Sequence, residues 1–542
     1  MMVAHDAKHK ISKYFNISCH DITTLIPKYS KYGYVCIHYY NLLKLVNLDE
    51  EEMQNKLKEI LNMDYISKIQ FENSYCNIFV DTNSYFSYFS NNFNLEFIKN
   101  CCDIGNGDSI LLEHTSSTPD SSPHLGRSRG TIIGDFLKNL YFFSNFNIKT
   151  HYFVNDLAKQ VSMIVSGYDF SKKYNLKQLS ELYQTIYKRC LIDKNLEKMV
   201  EIQIKKFQDG DVEYQKKFKT VVDNFIYEQK VIFDDFNVNI DEYVLESKLL
   251  YLKKDELFKI LQNKNVPIVL ADGCQSIPVF SDDKVIDYII LTRSDGGSLY
   301  ILRDLCYFLA KNDYNQKNVI VVPKYQEEHM KNIKYVLNRI GISAPKILYY
   351  ADSYNNGKKM SSKNGTGILL EDLIKKVRFT LLQLGYGFSN DFIKEISNRI
   401  IKKYILNFAP SKKMNYNFLD VEKLCYKEVK KILLIQQIKL RINDFAKNDA
   451  DPIDFDILKK IDMFDDIINN TIATLKTDIM IKYEEELDEL FFNCYINNNL
   501  TRSIFNGYIL IDYIINDLLI CNSEKRSDLI DESSNVYTYK IK

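Results

Sequence analysis

The sequence predicts an α/β protein built on a parallel β-sheet, with a small α+β domain before the sheet and a helical bundle after it. Three observations predict this class. From residue 110 to about residue 350, short apolar runs alternate with stretches of helical periodicity. Before residue 95, short strand-like and helical runs are mixed, and after residue 372 helical periodicity is almost unbroken. Strands that alternate with helices are typical of a parallel, doubly wound sheet.

The N-terminal domain is predicted over residues 1–95. The apolar runs 34–37 and 75–80 have the composition of short strands, and the charged segment 50–61 has the periodicity of an amphipathic helix. The Asn- and Ser-rich stretch 83–94 is predicted to be the loop that closes this domain. These patterns indicate no function by themselves.

The sheet domain is predicted over residues 96–371. Its first strand ends in the apolar run 110–112, and apolar residues recur at helical spacing after residue 131. Further strands are predicted at 148–154, 266–270, 288–291, 319–322 and 347–350, and further helices from about residue 300 and over 327–340. The charged stretch of about 172–264 has only helical periodicity, so we expect it to be an insertion into this domain.

The C-terminal domain, residues 372–542, is predicted to be a helical bundle because few Gly or Pro residues interrupt it. Adjacent lysines recur along it, at residues 375–376, 402–403, 412–413 and 430–431. Runs of charge of this kind usually form solvated helix faces, and we expect the same here.

The composition is that of an ordinary soluble protein, with 46% hydrophobic residues, 26% charged residues and a net charge of zero. Any contact with RNA therefore needs a local basic patch. The eleven cysteines include no Cys-x-x-Cys pair, so we expect neither a zinc site nor a disulfide framework, and no metal ligands are predicted. Residues 1–30 lack a signal-peptide pattern and no run of 18 apolar residues occurs, so we expect a cytoplasmic protein without membrane contact.

A stretch of small and polar residues joins the first strand of the sheet to the next helix. It runs from Glu113 to Gly130 and includes His124, Gly126 and Arg127. Ligands of open parallel sheets bind at such junctions, beyond the carboxyl ends of the strands. A helix that begins at a Gly- and Ser-rich turn offers free backbone N–H groups and the positive end of its dipole, which suits phosphate. His124 and Arg127 add donors at this turn.

A second loop lies between the last strand and the bundle and reads Gly357-Lys358-Lys359-Met360-Ser361-Ser362-Lys363-Asn364-Gly365. Its lysines are expected to reach a triphosphate and to stabilise charge on a leaving pyrophosphate when the loop closes. A Lys- and Ser-rich surface turn is the alternative interpretation of such a loop taken alone.

The two loops together resemble the signature motifs of class I aminoacyl-tRNA synthetases. Residues 123–130 resemble the HIGH motif, with Arg127 at the place of its second His, and 359–363 is similar to the KMSKS loop. The lead-in Glu-His-Thr-Ser-x-x-Pro is similar to that of arginyl-tRNA synthetases of the archaeal type. The resemblance covers roughly 105–165 and 285–415, and it implies a class I synthetase Rossmann-like sheet with a helical insertion.

The segment 293–304 resembles the Ser-Asp-Gly…Tyr-x-x-Arg-Asp segment of the same family. Tyr300 and Asp304 are four residues apart and share one helix face, and a guanidinium needs carboxylates and planar acceptors. In the family the matching Tyr and Asp hold the arginine side chain, together with the Glu that matches Glu113. The full set of arginine-binding residues implied by the resemblance is Glu113, Ser116, Thr118, Tyr300, Asp304 and Gln326. A polar pair on a helix surface would be the interpretation without the motifs, and a solvated helix position is the alternative for the nearby His329.

The resemblance implies an arginine–tRNA ligase that uses ATP and Mg²⁺, forms arginyl-adenylate and transfers the arginyl group to the 3′ end of tRNA. The implied ATP-binding residues are His124, Gly126, Arg127, Lys359, Met360, Ser361 and Lys363. Among them, His124, Arg127, Lys359 and Lys363 are the expected catalytic residues. A monomer is expected, with an N-terminal domain that contacts tRNA.

Two departures from the family pattern keep alternatives open. Thr118 stands where the family usually has Asn, and a hydroxyl reaches less far than an amide. In the bundle, only Tyr426 and Lys430 remain of a run that contributes to tRNA binding in the family. One alternative is a paralogue that passes activated arginine, or a relative of arginine, to a small molecule or carrier. The other is a catalytically silent RNA-binding relative.

Overall fold

A computed structural model of the chain describes residues 2–27, 29–115, 118–281, 284–314, 316–361, 366–445 and 455–520. The chain divides into two compact units. The first unit comprises Met1–Asn106, Phe143–Asn145 and Val429–Leu518, and the second comprises Gly107–Phe142, Phe146–Glu428 and Leu519–Lys542. The three domain ranges expected from the sequence, 1–95, 96–371 and 372–542, remain a prediction.

A five-stranded parallel sheet organises the second unit. Its strands lie in the spatial order Lys346–Tyr350, Lys317–Pro323, Ser109–Glu113, Asn147–Val154 and Glu242–Leu245. Every neighbouring pair in this order is parallel. Residues 110–112 and 319–322 are buried, as expected for strands that are covered on both faces. The predicted α/β class with a parallel sheet is therefore confirmed.

Helices connect and cover these strands. In the second unit they are Leu125–Phe143, Lys159–Gly167, Leu176–Ile192, Lys194–Gln208, Val212–Asp235, Glu246–Asn263, Tyr300–Asn312, Glu327–Ile340, Leu370–Gln383 and Asn390–Leu406, with the 3-10 turn Lys324–Gln326. We call Leu125–Phe143 the motif helix and Tyr300–Asn312 the pocket helix. The motif helix lies close to the first strand because Gly134 faces His114, where an added Cβ would lie 2.3 Å from the Cβ of His114.

Two predictions about the sheet domain are wrong. The runs predicted at 266–270 and 288–291 do not extend the parallel sheet, because Val269–Ala271, Cys274–Ser281 and Lys284–Ile290 form a separate antiparallel sheet. A two-residue turn at Asp272-Gly273, both with positive φ, joins the first two strands, and so short a connection permits only antiparallel pairing.

The second correction concerns the predicted helical insertion of about 172–264. Four helices do form there, but Glu242–Leu245, the edge strand of the parallel sheet, separates the last of them, Glu246–Asn263, from the other three. All four residues of this strand are only partly buried. A strand so short, without alternating polarity, leaves no period-two signal in the sequence.

The first unit contains a four-stranded antiparallel sheet in the order Thr24–Leu25, Val35–His38, Tyr75–Val80 and Ile66–Glu72. Its helices are Met2–Phe15, Tyr40–Val46, Glu50–Ile60, Thr82–Asn92, Leu95–Cys101, Phe455–Asp462, Phe464–Thr474, Asp478–Ile496 and Arg502–Ile520, with 3-10 turns at Cys19–Asp21 and Ser30–Tyr32. The prediction of a loop at 83–94 is wrong. This segment is mostly the helix Thr82–Asn92, because Asp81 accepts from the backbone N–H of Ser84 and Phe86 and Phe89 are buried.

The C-terminal part is almost wholly helical, as predicted, apart from the short strand Met414–Tyr416, which pairs with Ser353–Asn355 beside Lys358–Lys359. The helix Phe418–Phe445 passes from the second unit into the first. By length and composition Arg502–Ile520 is apolar enough to cross a membrane, but 67% of its apolar window is buried in the protein, as in a core helix.

The prediction that the paired lysines form solvated faces is wrong for three of them. Lys402, Lys403 and Lys431 are buried, whereas their neighbour Lys430 is exposed. Lys402 pairs with Asp135 at 2.7 Å, and Lys403 pairs with Glu428 at 2.7 Å. Charged side chains are seldom buried unless they are paired, so these lysines join elements of the fold.

Candidate active site

A cleft of about 600 Å³ opens in the second unit beyond the carboxyl ends of the parallel strands. It is lined by residues of both motifs and of the predicted arginine site, namely Glu113, Thr118, His124, Gly126, Arg127, Tyr300, Asp304, Gln326, Lys359, Met360 and Ser361. Eleven of the thirteen predicted site residues therefore line a single cleft. Ser116 and Lys363 lie outside the described residues.

The two motifs are joined by backbone hydrogen bonds. The N–H of Leu125 donates to the carbonyl of Ile368 at 2.8 Å, and the N–H of Leu370 donates to the carbonyl of Pro123 at 2.9 Å. His124 and Leu369 form an antiparallel bridge between these bonds. The first turn of the motif helix is therefore held against the segment that follows the second motif, although the two are far apart in sequence.

His124 is buried at the start of the motif helix. The backbone N–H of Gly126 donates to its Nδ1 at 3.1 Å, so a neutral ring carries its proton on Nε2. Burial first, and then the positive charge of Arg127, lower the pKa of His124 to about 4. His124 is therefore a neutral hydrogen-bond donor at neutral pH. Gly367 lies against it, and a Cβ on this glycine would come within 2.7 Å of the Cβ of His124.

Arg127 is bound by an acidic residue that the sequence reasoning missed. Its Nη1 donates to Oδ1 of Asp120 at 2.7 Å and to Oγ of Ser121 at 3.2 Å. Burial lowers the pKa of Arg127, but the buried carboxylate of Asp120 more than offsets this and raises the pKa above its usual value. The guanidinium is thus oriented from one side and remains a cleft-lining donor. No periodicity or spacing singled out Asp120 within the motif loop.

Lys359 of the second motif also has an acidic partner that was not foreseen. Its Nζ lies 2.8 Å from Oδ2 of Asp352 and 5.4 Å from the centre of the Tyr325 ring. The side chain is half exposed, and it points to a cleft that Asp352 and Tyr325 also line. The N–H of Met360 donates to the carbonyl of Ser353 at 2.9 Å, which fixes the loop next to the sheet.

The opposite half of the cleft carries carboxylates. Glu113 ends the strand Ser109–Glu113, is buried and forms an ion pair with the buried Lys311 of the pocket helix. Tyr300 and Asp304 lie one turn apart on that helix, as predicted, and Tyr300 is 46% exposed. Oδ2 of Asp304 lies 2.5 Å from Nε2 of His329. His329 is thus a cleft residue with a specific partner, and the alternative of a solvated helix position is wrong.

A third carboxylate of this half, Glu246, was not singled out from the sequence. It begins the helix after the edge strand, is buried, and accepts from Nη1 of Arg303 at 2.8 Å. Burial raises the pKa of Glu246, and the guanidinium of Arg303 opposes the rise. A buried guanidinium does not give up its proton, so Arg303 supplies the positive charge of this pair. Arg303 stands in the Tyr-x-x-Arg-Asp pattern, which was the only signal for this pair.

The cleft can therefore hold a ligand with anionic phosphate groups at one end and a cationic group at the other. One half offers a neutral imidazole donor, a guanidinium, an ammonium and the first turn of the motif helix, which suit phosphate groups. The other half offers carboxylates and a tyrosine ring, which suit a cationic, planar group. A parallel sheet with these two loops at its carboxyl edge defines a class I aminoacyl-tRNA synthetase catalytic domain.

Comparisons with known proteins specify the family. The family model described as "tRNA synthetases class I (R), catalytic domain" matches residues 98–384, more than half of the 542 residues. The chain belongs to this family, and the family resemblance of its motifs is confirmed.

Relatives and solved structures agree with this assignment. The chain is 26% identical to the arginine–tRNA ligase of Methanocaldococcus jannaschii over 479 residues, which cover 82% of each protein. It is 27% identical to the arginine–tRNA ligase of Archaeoglobus fulgidus over 406 residues, 71% of each. The arginyl-tRNA synthetase of Plasmodium falciparum superposes with a TM-score of 0.68 at 16% identity, over 96% of each chain. That of Thermus thermophilus gives 0.69 at 13% identity, over 95% of this chain and 97% of its own. At such identities the structures establish the fold alone.

Proposed function

We propose that the chain is an arginine–tRNA ligase. The carboxylate of arginine attacks the α-phosphate of ATP, arginyl-adenylate forms, pyrophosphate leaves, and the terminal ribose of tRNA then accepts the arginyl group. The observation that carries the proposal is the single cleft in which both motifs face the carboxylates of Glu113 and Asp304. The similarity to arginine–tRNA ligases over 71–82% of the chain supports it, and nothing in the comparisons favours the paralogue or the silent relative.

In this proposal the chain accelerates adenylate formation by positioning and by electrostatic stabilisation, without a covalent nucleophile. Nε2–H of His124 and the guanidinium of Arg127 donate to phosphate oxygens, and the backbone at Gly126 lets the nucleotide come close. Lys359 leaves Asp352 and stabilises the pyrophosphate side, where Met360, Ser361 and Lys363 complete the loop. Exchange of one carboxylate for a more highly charged phosphate chain favours this movement.

Arginine is proposed to bind with its guanidinium towards Asp304 and Glu113 and against the ring of Tyr300. Carboxylate oxygens accept the forked N–H groups of a guanidinium, and the ring face attracts its charge. Gln326, Thr118 and Ser116 are proposed to contact the backbone end of the substrate. Thr118 offers only one hydroxyl for this purpose.

Mg²⁺ is proposed to enter the site with ATP. Mg²⁺ prefers oxygen ligands in octahedral geometry and is commonly bound through phosphates and one or two carboxylates. We call the half of the cleft lined by His124, Arg127 and Lys359 the nucleotide half. Its described carboxylates, Asp120 and Asp352, are each bonded to a basic side chain. They do not fit a resident ion held by the protein alone, and no step above depends on one. The proposed setting is a cytoplasmic monomer.

Arginine-dependent pyrophosphate exchange, measured with and without tRNA, tests the proposal. We expect exchange in the parent and at least a hundredfold loss of kcat/KM for arginine in Asp304→Ala, because the guanidinium then loses a charged acceptor. Asp295→Ala is the matched control, since this exposed aspartate precedes the pocket helix and does not line the cleft. Equal activity of Asp304→Ala and the parent would contradict the arginine pocket.

A further inference from the structure

We call the half of the cleft lined by Glu113, Glu246 and Asp304 the arginine half. These three described carboxylates are held in two different ways. Glu113 is bound by the ammonium of Lys311, and Glu246 is bound by the guanidinium of Arg303 at 2.8 Å. Asp304 is bound instead by the imidazole of His329, with 2.5 Å between Nε2 and Oδ2. Glu113 and Glu246 thus each face an ammonium or a guanidinium, whereas Asp304 faces an imidazole.

The difference between an imidazole and an ammonium decides the charge that the substrate meets. An imidazole can donate a hydrogen bond as a neutral ring, so it orients a carboxylate without cancelling its charge. An ammonium or a guanidinium orients a carboxylate and cancels its charge as well. Asp304 is thus the carboxylate in this half of the cleft that is held by a donor which need not carry a charge.

The position of His329 suits such a role. It lies in the first turn of the helix Glu327–Ile340, lines the cleft, and its side chain is 30% exposed, against 22% for Asp304. A donor on one carboxylate oxygen fixes the plane in which the second oxygen is presented. The ring therefore approaches Asp304 from one helix while Tyr300 flanks it on its own helix.

We propose that His329 is a positioning and specificity residue for the guanidinium. It fixes the orientation of Asp304 through a donor that can stay neutral, so that the positive charge of the substrate can pair with this carboxylate. The inference rests on the proposed function and adds to it a residue and a charge rule that decide between arginine and its neutral isostere citrulline.

Three substitutions separate orientation from charge. His329→Gln keeps a neutral donor at the place of Nε2, His329→Leu keeps the volume without a donor, and His329→Lys supplies a donor that cancels the charge of Asp304. In tRNA-containing pyrophosphate exchange, we expect the KM for arginine to stay within about threefold in the Gln variant and to rise about tenfold in the Leu variant, as for loss of one hydrogen bond to a charged group. We expect the Lys variant to raise it most, with the KM for ATP unchanged throughout.

Discrimination supplies a readout that a merely structural role would not move. We expect the preference for arginine over citrulline, measured as the ratio of kcat/KM values, to fall most in the Lys variant. Glu328→Gln is the matched control, because Glu328 is on the same turn, is exposed and pairs with Lys331.

The outcomes distinguish the inference from the proposed function. A parent without arginine-dependent exchange would refute the proposed function and the inference with it. An active parent whose Leu and Lys variants keep the parental KM for arginine would overturn the inference alone. A parallel rise in the KM for ATP, or equal losses in the Gln and Lys variants, would mean that His329 only supports the fold, which also overturns it.

Discussion

At the scale of single residues, the two described basic side chains of the nucleotide half that carry a full charge, Arg127 and Lys359, each have an acidic partner. Arg127 is bonded to Asp120, and Lys359 is bonded to Asp352. Such partners orient long side chains before the ligand arrives, which reduces the ordering required when phosphate binds. Under the proposed function, Lys359 changes partner during the reaction, whereas Arg127 keeps its bond to Asp120.

The lysine of the second motif can be tested against its neighbour. We expect Lys359→Ala to lower kcat for arginine-dependent exchange by about a hundredfold, because charge on the departing pyrophosphate loses a preorganised donor. Lys358→Ala removes the same charge from an adjacent exposed residue that does not line the cleft. Exchange rates that fall equally in both variants would contradict a specific role for Lys359.

A second residue-scale prediction concerns pH and the buried His114. Burial lowers the pKa of His114 to about 4 from an ordinary value of about 6.5. The unfolded chain therefore binds the proton more readily than the folded chain. Neutral His114 does not reduce the free energy of unfolding above pH 6.5, and this free energy falls as the pH drops from 6.5 towards 4. At pH 5, protonation of this histidine in the unfolded chain should lower the free energy of unfolding by about 2 kcal/mol.

Denaturant unfolding of the parent and of His114→Asn at pH 7 and pH 5 measures this effect. Asn can keep a hydrogen bond to Thr115, which lies 2.6 Å from Nδ1 of His114. We expect the parent to lose about 2 kcal/mol more than the variant between the two pH values. An equal loss in both proteins would show that His114 does not titrate in this way.

At the scale of elements, buried ion pairs join helices that the sequence shows only as periodic runs. In the first unit, Lys431 on the helix Phe418–Phe445 lies within 3.0 Å of three buried carboxylates, from Glu484, Asp488 and Asp512. Their oxygens are close enough to one another for a metal ion, but the ammonium lies among them. The negative charge around it raises the pKa of Lys431, against the effect of burial.

Removal of this ammonium should strongly lower the stability of the protein. We expect Lys431→Met to lower the free energy of unfolding by about 3–5 kcal/mol, since it leaves buried carboxylates without their cation. Lys430→Met is the matched control on the same helix, because Lys430 is exposed, and we expect a change within about 0.5 kcal/mol. Thermal unfolding of both variants decides the matter, and a similar loss in the two would contradict the account.

Elements with a long, regular hydrophobic period are predicted well from the sequence. Elements that are defined by strand pairing or by a distant ion-pair partner are predicted poorly. The motif helix and the strand Lys317–Pro323 follow from long, consistent patterns, and the eleven described site residues follow from motif resemblance. The strand Glu242–Leu245 is too short to carry a period. Lys311 was missed because its partner Glu113 is 198 residues away. Asp120 and Asp352 were missed because no periodicity marks a contact between residues seven positions apart that do not share a helix.

At the scale of the whole molecule, the catalytic domain and the contact with tRNA depend on different parts of the chain. The family match ends at residue 384, and the bundle retains only two residues of the family run. Tyr426 and Lys430 are both exposed and lie four residues apart on one helix, so they share a face that is open to a ligand. A local basic and aromatic surface of this kind is compatible with RNA in a chain of zero net charge.

The most direct test of the account is the charging of labelled arginine onto total tRNA by the full chain in the presence of ATP and Mg²⁺. We expect arginine, and not lysine or citrulline, to become attached to the 3′ end of a subset of tRNAs, and the attachment to be lost in Asp304→Ala. Arginine-dependent pyrophosphate exchange without any charging of tRNA would contradict the account and would transfer the activity to a small-molecule or carrier acceptor.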